Sequence, residues 1–320
     1  MSAPTAPPSA PALAGRARAE ESCSRDRARG IAFMVLAMGL FSIMDALVKW
    51  LGGSYSTVQL VFFRSLFAFV PIAFLIFHGG LGNALRMTDR RGHLIRVAVG
   101  ILALSAFFYA FANMRLADAV AIGFAAPIFV TALSVPLLGE RVGPRRWGAV
   151  LLGFAGVMVM LRPGAAVFDP VAVVPLVGVV FYALAAIMVR RLSRTETSAA
   201  IVFTFTLSCT LVSGLLLPFF WVTPDAADFA LLACVGLVGG LAQITITKAF
   251  RLAEVAVIMP FEYSAMIWAA LLGFFIWGEV PGNHIWLGVA IVTASGLYIL
   301  YRETSLGLPR GTARRLQTKR

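Results

Sequence analysis

Apolar residues in this chain fall into long blocks, parted by short polar links in which arginine recurs. A helix needs about 20 mostly apolar residues to cross a bilayer. Ten blocks meet that length: 31–50, 57–77, 94–113, 117–138, 144–161, 170–189, 198–220, 227–249, 255–277 and 284–301. Only Met114, Arg115 and Leu116 part the third from the fourth, and Arg115 with Asp118 favours a hairpin turn there over one very long helix. The pattern predicts an all-α integral membrane protein of ten transmembrane helices.

The positive charges test that count. With the N-terminus in the cytoplasm, alternate links collect nearly all of the 27 lysines and arginines. They are the N-terminal segment with Arg25, Arg27 and Arg29, then Arg86, Arg90, Arg91 and Arg96, then Arg141, Arg145 and Arg146. Arg190, Arg191 and Arg194 follow, then Lys248 and Arg251, and finally the C-terminal segment. The opposite links hold Lys49, Arg115 and Arg162, and Arg64 lies within a span. Adding or removing one helix destroys the alternation, so both termini are expected to be cytoplasmic.

The chain also repeats itself. Arg115-Leu116-Ala117-Asp118 returns as Arg251-Leu252-Ala253-Glu254, Gly139-Glu140 as Gly278-Glu279, and Trp147 as Trp286. Each half contains five predicted helices, an odd number, so the second half must be inverted relative to the first. The expected organisation is a disordered cytoplasmic tail over 1–29, one five-helix repeat over 30–162, an inverted repeat over 170–302 and a basic cytoplasmic tail over 303–320. Inverted repeats are a recurrent build for secondary carriers.

Composition narrows the alternatives. The chain is 60% hydrophobic and 13% charged, against about 25% charged in soluble domains. The net charge of +12 falls between apolar blocks and reads as topology signal, with no basic, aromatic-interleaved face for nucleic acid. Cys23, Cys209 and Cys234 have neither CxxC nor Cys/His spacing, so no metal site is expected. Residues 1–29 lack the apolar core of a signal peptide. No GxSxG, HExxH or GxxxxGK[ST] motif is present, which leaves a hydrolase or an ATP-driven pump without support. No cofactor is expected.

Several motifs carry a family resemblance. Phe62-Phe63-Arg64 opens the second span, Leu138-Gly139-Glu140-Arg141-Val142 ends the fourth, and Trp277-Gly278-Glu279-Val280-Pro281 ends the ninth. With the two Arg-Leu-Ala turns and the glycine-rich fifth and tenth spans, the chain resembles the drug/metabolite transporter superfamily in its two-EamA-domain branch, over about residues 30–302. Phe41 to Trp50 and Pro260-Phe261-Glu262-Tyr263 look like the corresponding stretches of bacterial members that include riboflavin and S-adenosylmethionine carriers. The resemblance implies a carrier for a small organic metabolite in a bacterial inner membrane, as a monomer or homodimer, working by alternating access. A membrane-embedded enzyme or scaffold, or a channel, is the alternative.

Among the ionisable residues inside predicted spans, where a charge costs about 2.5–3.5 kcal/mol at the centre, three stand out. Asp45 and Arg64 come at matching depths of roughly 9 and 10 Å from the same face, so they are expected to pair. Lys49 shares the helix face of Asp45. The functional reading is a charged constellation for an anionic or zwitterionic substrate. The structural one is an ion pair with Lys49 reaching to the interface. Glu262 lies roughly 12 Å deep with no basic neighbour in its own span, as expected of a proton-coupling group or a recognition group. Tyr109, Gln243 and Tyr263 are lesser candidates for binding or coupling. Pro127 and Pro260 interrupt the symmetry-related fourth and ninth spans and are expected to break those helices beside a cavity.

Overall fold

The structure is a computed structural model that describes residues 10–79, 87–138, 144–161, 170–192, 195–252 and 259–305. Its elements are all helical. They run α1 (Ala10–Leu51), α2 (Thr57–Gly79), α3 (Arg90–Asn113), α4 (Leu116–Gly123), α5 (Ala126–Leu138), α6 (Pro144–Leu161), α7 (Val173–Leu192), α8 (Ser198–Leu216), α9 (Ala226–Leu252), α10 (Ser264–Trp277) and α11 (Asn283–Ser305). Short 3-10 turns precede α7 and α10 and follow α8.

By length and composition, five helical stretches among the described residues can cross a membrane: Arg25–Leu51, Arg90–Asn113, Leu116–Leu137, Ala200–Phe219 and Ala226–Ala249. Shorter apolar helices cover Thr57–Ala73, Trp147–Met160, Val173–Val189 and Phe261–Trp277. The chain is therefore a multi-pass membrane protein.

Two boundaries extend beyond the sequence expectation. α1 continues as helix back to Ala10 through the segment expected to be a tail, since alanine, arginine and glutamate favour helix once a neighbouring span nucleates it. α11 continues to Ser305. The last part of the expected C-terminal tail, like Gly139, Glu140 and Arg141, lies outside the described residues.

Helix ends follow local chemistry. The Asp89 carboxylate accepts from the Gly92 N–H and caps α3; Thr197 does the same for α8 through the Ala200 N–H. Met114 and Arg115 form the tight link between α3 and α4. Gly278 ends α10 in the left-handed region, at φ 69°, with its N–H turned back to the last carbonyls. Only glycine adopts that conformation without strain.

The helices pack in a reciprocal pattern. α1 lies along α9 and α3 along α7; α6 pairs with α11, and α2 with α8. Glycines set the closest approaches. A Cβ at Gly236 would lie 2.5 Å from Phe67 Cβ and 2.8 Å from the Phe63 carbonyl; at Gly240 it would lie 2.3 Å from Pro71 Cγ. Thus α2 and α9 touch nearly backbone to backbone. Gly153, Gly156 and Gly288 do the same for α6 against its neighbours α5 and α11, whereas Gly148 faces open space.

Candidate functional site

The apolar blocks bring an unusual set of polar side chains to the middle of the bundle. Asp45, on α1, is buried. The Arg64 guanidinium, on α2, lies within electrostatic reach of it, but no ion pair forms between them within 4.0 Å. Arg64 rests beside the glycine face of α9, where its Nε is 3.8 Å from the Cβ position of Gly239. That Nε is buried without a hydrogen-bond partner.

Arg96 joins this cluster, and the sequence reading missed it. It follows Arg90 and Arg91 and was read with them as a charge of the polar link. α3 starts at Arg90, four residues before the expected start, which places Arg96 well inside the bundle. Its guanidinium carbon sits 4.1 Å from the ring centroid of Phe205 on α8. Its Nε and Nη1 are buried and unpartnered. Cys209, also on α8 and fully buried, is within electrostatic reach of both arginines.

Tyr182 on α7 extends the set. It is within electrostatic reach of both Arg96 and Glu262, and it remains 48% exposed. It stands between groups on α3 and on the 259–263 turn. Glu262 lies in that turn beside Tyr263. The cluster thus runs from Asp45 and Arg64 through Cys209 and Arg96 to Tyr182, Glu262 and Tyr263.

Two interruptions of helix border it. α4 stops at Gly123, and α5 starts at Ala126 with Pro127 as its second residue. At that position proline's missing N–H costs no hydrogen bond, so Pro127 begins a new helix. Pro260 is the second residue of the Met259–Tyr263 turn that leads into α10. The two interruptions meet: the rings of Phe124 and Tyr263 pack edge to face at 5.0 Å, and the Tyr263 hydroxyl lies against Gly296 of α11.

Two lesser candidates are not drawn in by any contact among the described residues. Tyr109 is 40% exposed, four residues from the end of α3, and its backbone carbonyl accepts from Asn113. The Gln243 carbonyl accepts from Thr247 on α9.

Lys49 does not join Asp45. It pairs with Glu279 at 2.7 Å, donates to the Met114 carbonyl at 2.5 Å and lies 5.2 Å from the Trp277 ring centroid. Glu279 also accepts from the Leu116 N–H at 3.1 Å, and Arg115 donates to the Val280 carbonyl. The same end of the bundle holds a reciprocal clasp. Gln59 donates to the Val222 carbonyl at 2.8 Å and accepts from the Val222 N–H at 3.0 Å. Tyr55 donates to Asp228 at 2.6 Å, which holds its hydroxyl pKa up at about 12. At the opposite end, Glu196 accepts from the backbone N–H groups of Thr88 and Asp89, with His93 Nε2 3.8 Å away. Apart from the Lys49–Met114 bond, each of these contacts joins a residue before 162 to one after 170. An apolar groove of about 330 Å³ between α1, α9 and α10 lies on the face of α1 away from Asp45 and includes Trp50 and Trp277. It is separate from the polar cluster.

Comparison with known proteins fits this arrangement. The chain is 32% identical to the pseudopaline exporter CntI of Pseudomonas aeruginosa over 83% of this chain and 94% of that one. It is 29% identical to a riboflavin transporter of Vibrio cholerae over 86% and 94%. It is 26% identical to an S-adenosylmethionine uptake transporter of Rickettsia prowazekii over 86% and 93%. A solved crystal structure shares the fold with a TM-score of 0.60, covering 88% of this chain and 97% of that one at 17% identity. The profile of the EamA-like transporter family matches twice, over residues 28–162 and 171–301. The chain belongs to the EamA-like transporter family, with two EamA domains, and is a metabolite transporter rather than an enzyme.

Proposed function

We propose that this chain is a ten-span secondary carrier of two inverted five-helix repeats, which moves a polar organic metabolite by alternating access through the Asp45–Arg64–Glu262 cluster. One observation carries the reading. If the halves are inverted repeats, α2 against α9 and α8 against α3 are equivalent interfaces. They are packed unequally: α2 and α9 are zipped along a glycine face, while α8 meets α3 over a much shorter stretch. Inverted-repeat carriers change state by exchanging two such arrangements. The reciprocal pairing of α1 with α9 and α3 with α7 supports the inversion. So does the offset of 139 residues between Trp147 and Trp286, which relates Asp89 to Asp228; each makes or flanks a clasp at its own end.

In this reading the Lys49 end faces outside and is closed by the Lys49–Glu279 and Gln59–Val222 contacts. Asp45 and Glu262 are the groups able to exchange protons or meet a cationic part of the cargo. S-adenosylmethionine and riboflavin, named as the cargoes of two of the relatives, are the first probes. Purified protein in proteoliposomes is expected to take up one of them faster than protein-free vesicles. Asp45→Asn and Glu262→Gln should each reduce that uptake at least tenfold at unchanged melting temperature. Wild-type uptake by both variants would remove the two carboxylates from the mechanism.

A further inference from the structure

We propose that Arg64 and Arg96 together form a site for an anionic group of the cargo, a carboxylate or a phosphate, held between two guanidinia. The proposal rests on the carrier reading and adds the chemical class of one end of the substrate.

Both arginines lie in the interior of a membrane bundle and neither is neutralised there. Arg64 Nε and Arg96 Nε and Nη1 are buried with no acceptor, and no ion pair reaches either guanidinium among the described residues. A buried cation without a partner is strongly unfavourable unless something supplies the missing charge. Asp45 is the carboxylate within electrostatic reach of Arg64, and it stands off beyond ion-pair distance. Cys209, close to both arginines, offers a thiol, which is a weak acceptor. The two guanidinia are within electrostatic reach of one another, so their repulsion adds to the cost of leaving both unpaired.

Phe205 lies 4.1 Å from the Arg96 guanidinium carbon and attracts its charge without using any N–H. The N–H fork of each arginine therefore still lacks an acceptor. That fork matches carboxylate or phosphate oxygens bidentately. Tyr182 is half exposed and within electrostatic reach of Arg96. Glu262 lies beyond Tyr182, which suits a cargo carrying an anionic group at one end and a hydrogen-bonding or cationic group at the other.

The test uses purified full-length protein in detergent and follows its melting temperature against succinate and inorganic phosphate, with chloride at equal ionic strength as the reference. A ligand of the folded state raises the melting temperature with its own concentration dependence. Succinate or phosphate is expected to stabilise the wild type beyond chloride. The midpoint concentration should rise at least tenfold in Arg64→Gln and in Arg96→Gln, with Arg96→Lys in between. Melting temperatures without anion identify any variant that is simply misfolded, and Arg96→Lys then decides. Wild-type midpoints in Arg96→Gln and Arg96→Lys would overturn the proposal. So would the absence of stabilisation beyond chloride by either anion. If Glu262→Gln abolishes uptake while neither anion stabilises the protein, the carrier reading stands and the anion site falls. If no cargo is taken up by the wild type but the anions stabilise it through both arginines, the site stands and the carrier reading falls.

Discussion

Glu196 shows how one side chain can tie two halves together. Burial alone pushes its carboxyl pKa up, but the backbone N–H groups of Asp89 and Thr88 and the nearby His93 outweigh that and hold it below the usual carboxylate range. A depressed folded-state pKa contributes stability that is complete above the unfolded value of about 4.3 and is lost as pH falls through the lower folded value. Acidification from about pH 4.3 downward should therefore release the Thr88–Asp89 link. Hydrogen exchange at those two amides, corrected for intrinsic rates, is expected to lose protection over that window in the wild type. Glu196→Gln should show reduced protection at neutral pH and no acid step; identical profiles would deny the carboxylate this role. Asp45, Arg64 and Glu262 were legible in the sequence because each is a charge inside an apolar block. Arg96 was hidden by its basic neighbours, since its depth depends on where α3 begins. Lys49 was assigned to its own helix face because its partner, Glu279, lies in the other half of the chain and only folding brings them together.

At the scale of helices, the closeness of α2 and α9 depends on what α9 lacks. Gly236→Ala would place a methyl 2.5 Å from Phe67 Cβ and 2.8 Å from backbone, and Gly240→Val would add more bulk 2.3 Å from Pro71. Overpacking of this kind costs about 1–3 kcal/mol. Both variants are expected to melt below the wild type and to transport slowly. Gly53→Ala, with nothing within 4 Å, should melt like the wild type. Equal melting temperatures across all three would show that the interface tolerates separation. Glycine and proline were visible as letters in the sequence, but their work was not. Pro127 looked like an interruption and proves to be in the first turn of α5, because the backbone ladder already tightens to three-residue hydrogen bonds at Phe124 and Ala125 before reaching it. Gly148, in the glycine-rich fifth span, faces open space. The apolar blocks mark where helices run; which face of each meets which neighbour depends on contacts across the whole chain.

For the whole molecule, the proposed closure of the Lys49 end is the property to test. Lys49 contributes an ion pair, a hydrogen bond to Met114 and a ring contact at one end. Lys49→Met keeps the apolar stem and removes the charge. It is expected to cost about 1–3 kcal/mol, the usual range for a charged hydrogen bond. It should also speed, several-fold, the modification of a cysteine placed at buried Ala117 by a polar thiol reagent, in a protein otherwise free of cysteine. An unchanged rate would show that other contacts keep this end shut. The two family matches, 28–162 and 171–301, fall on the two sides of every such clasp, so each one must break and re-form if the halves move.

The edge-to-face contact between Phe124 and Tyr263 has a consequence for such movement. Both rings sit where a helix gives up its regular ladder, so each marks the softest point of its own half. Pressed together at 5.0 Å, they make one pivot serve two levers. A tilt of α5 against α4 displaces the support of α10, and a tilt of α10 displaces the support of α5. With a shared pivot, opening at one membrane face and closing at the other become a single motion, and a leak through both faces at once requires that contact to come apart.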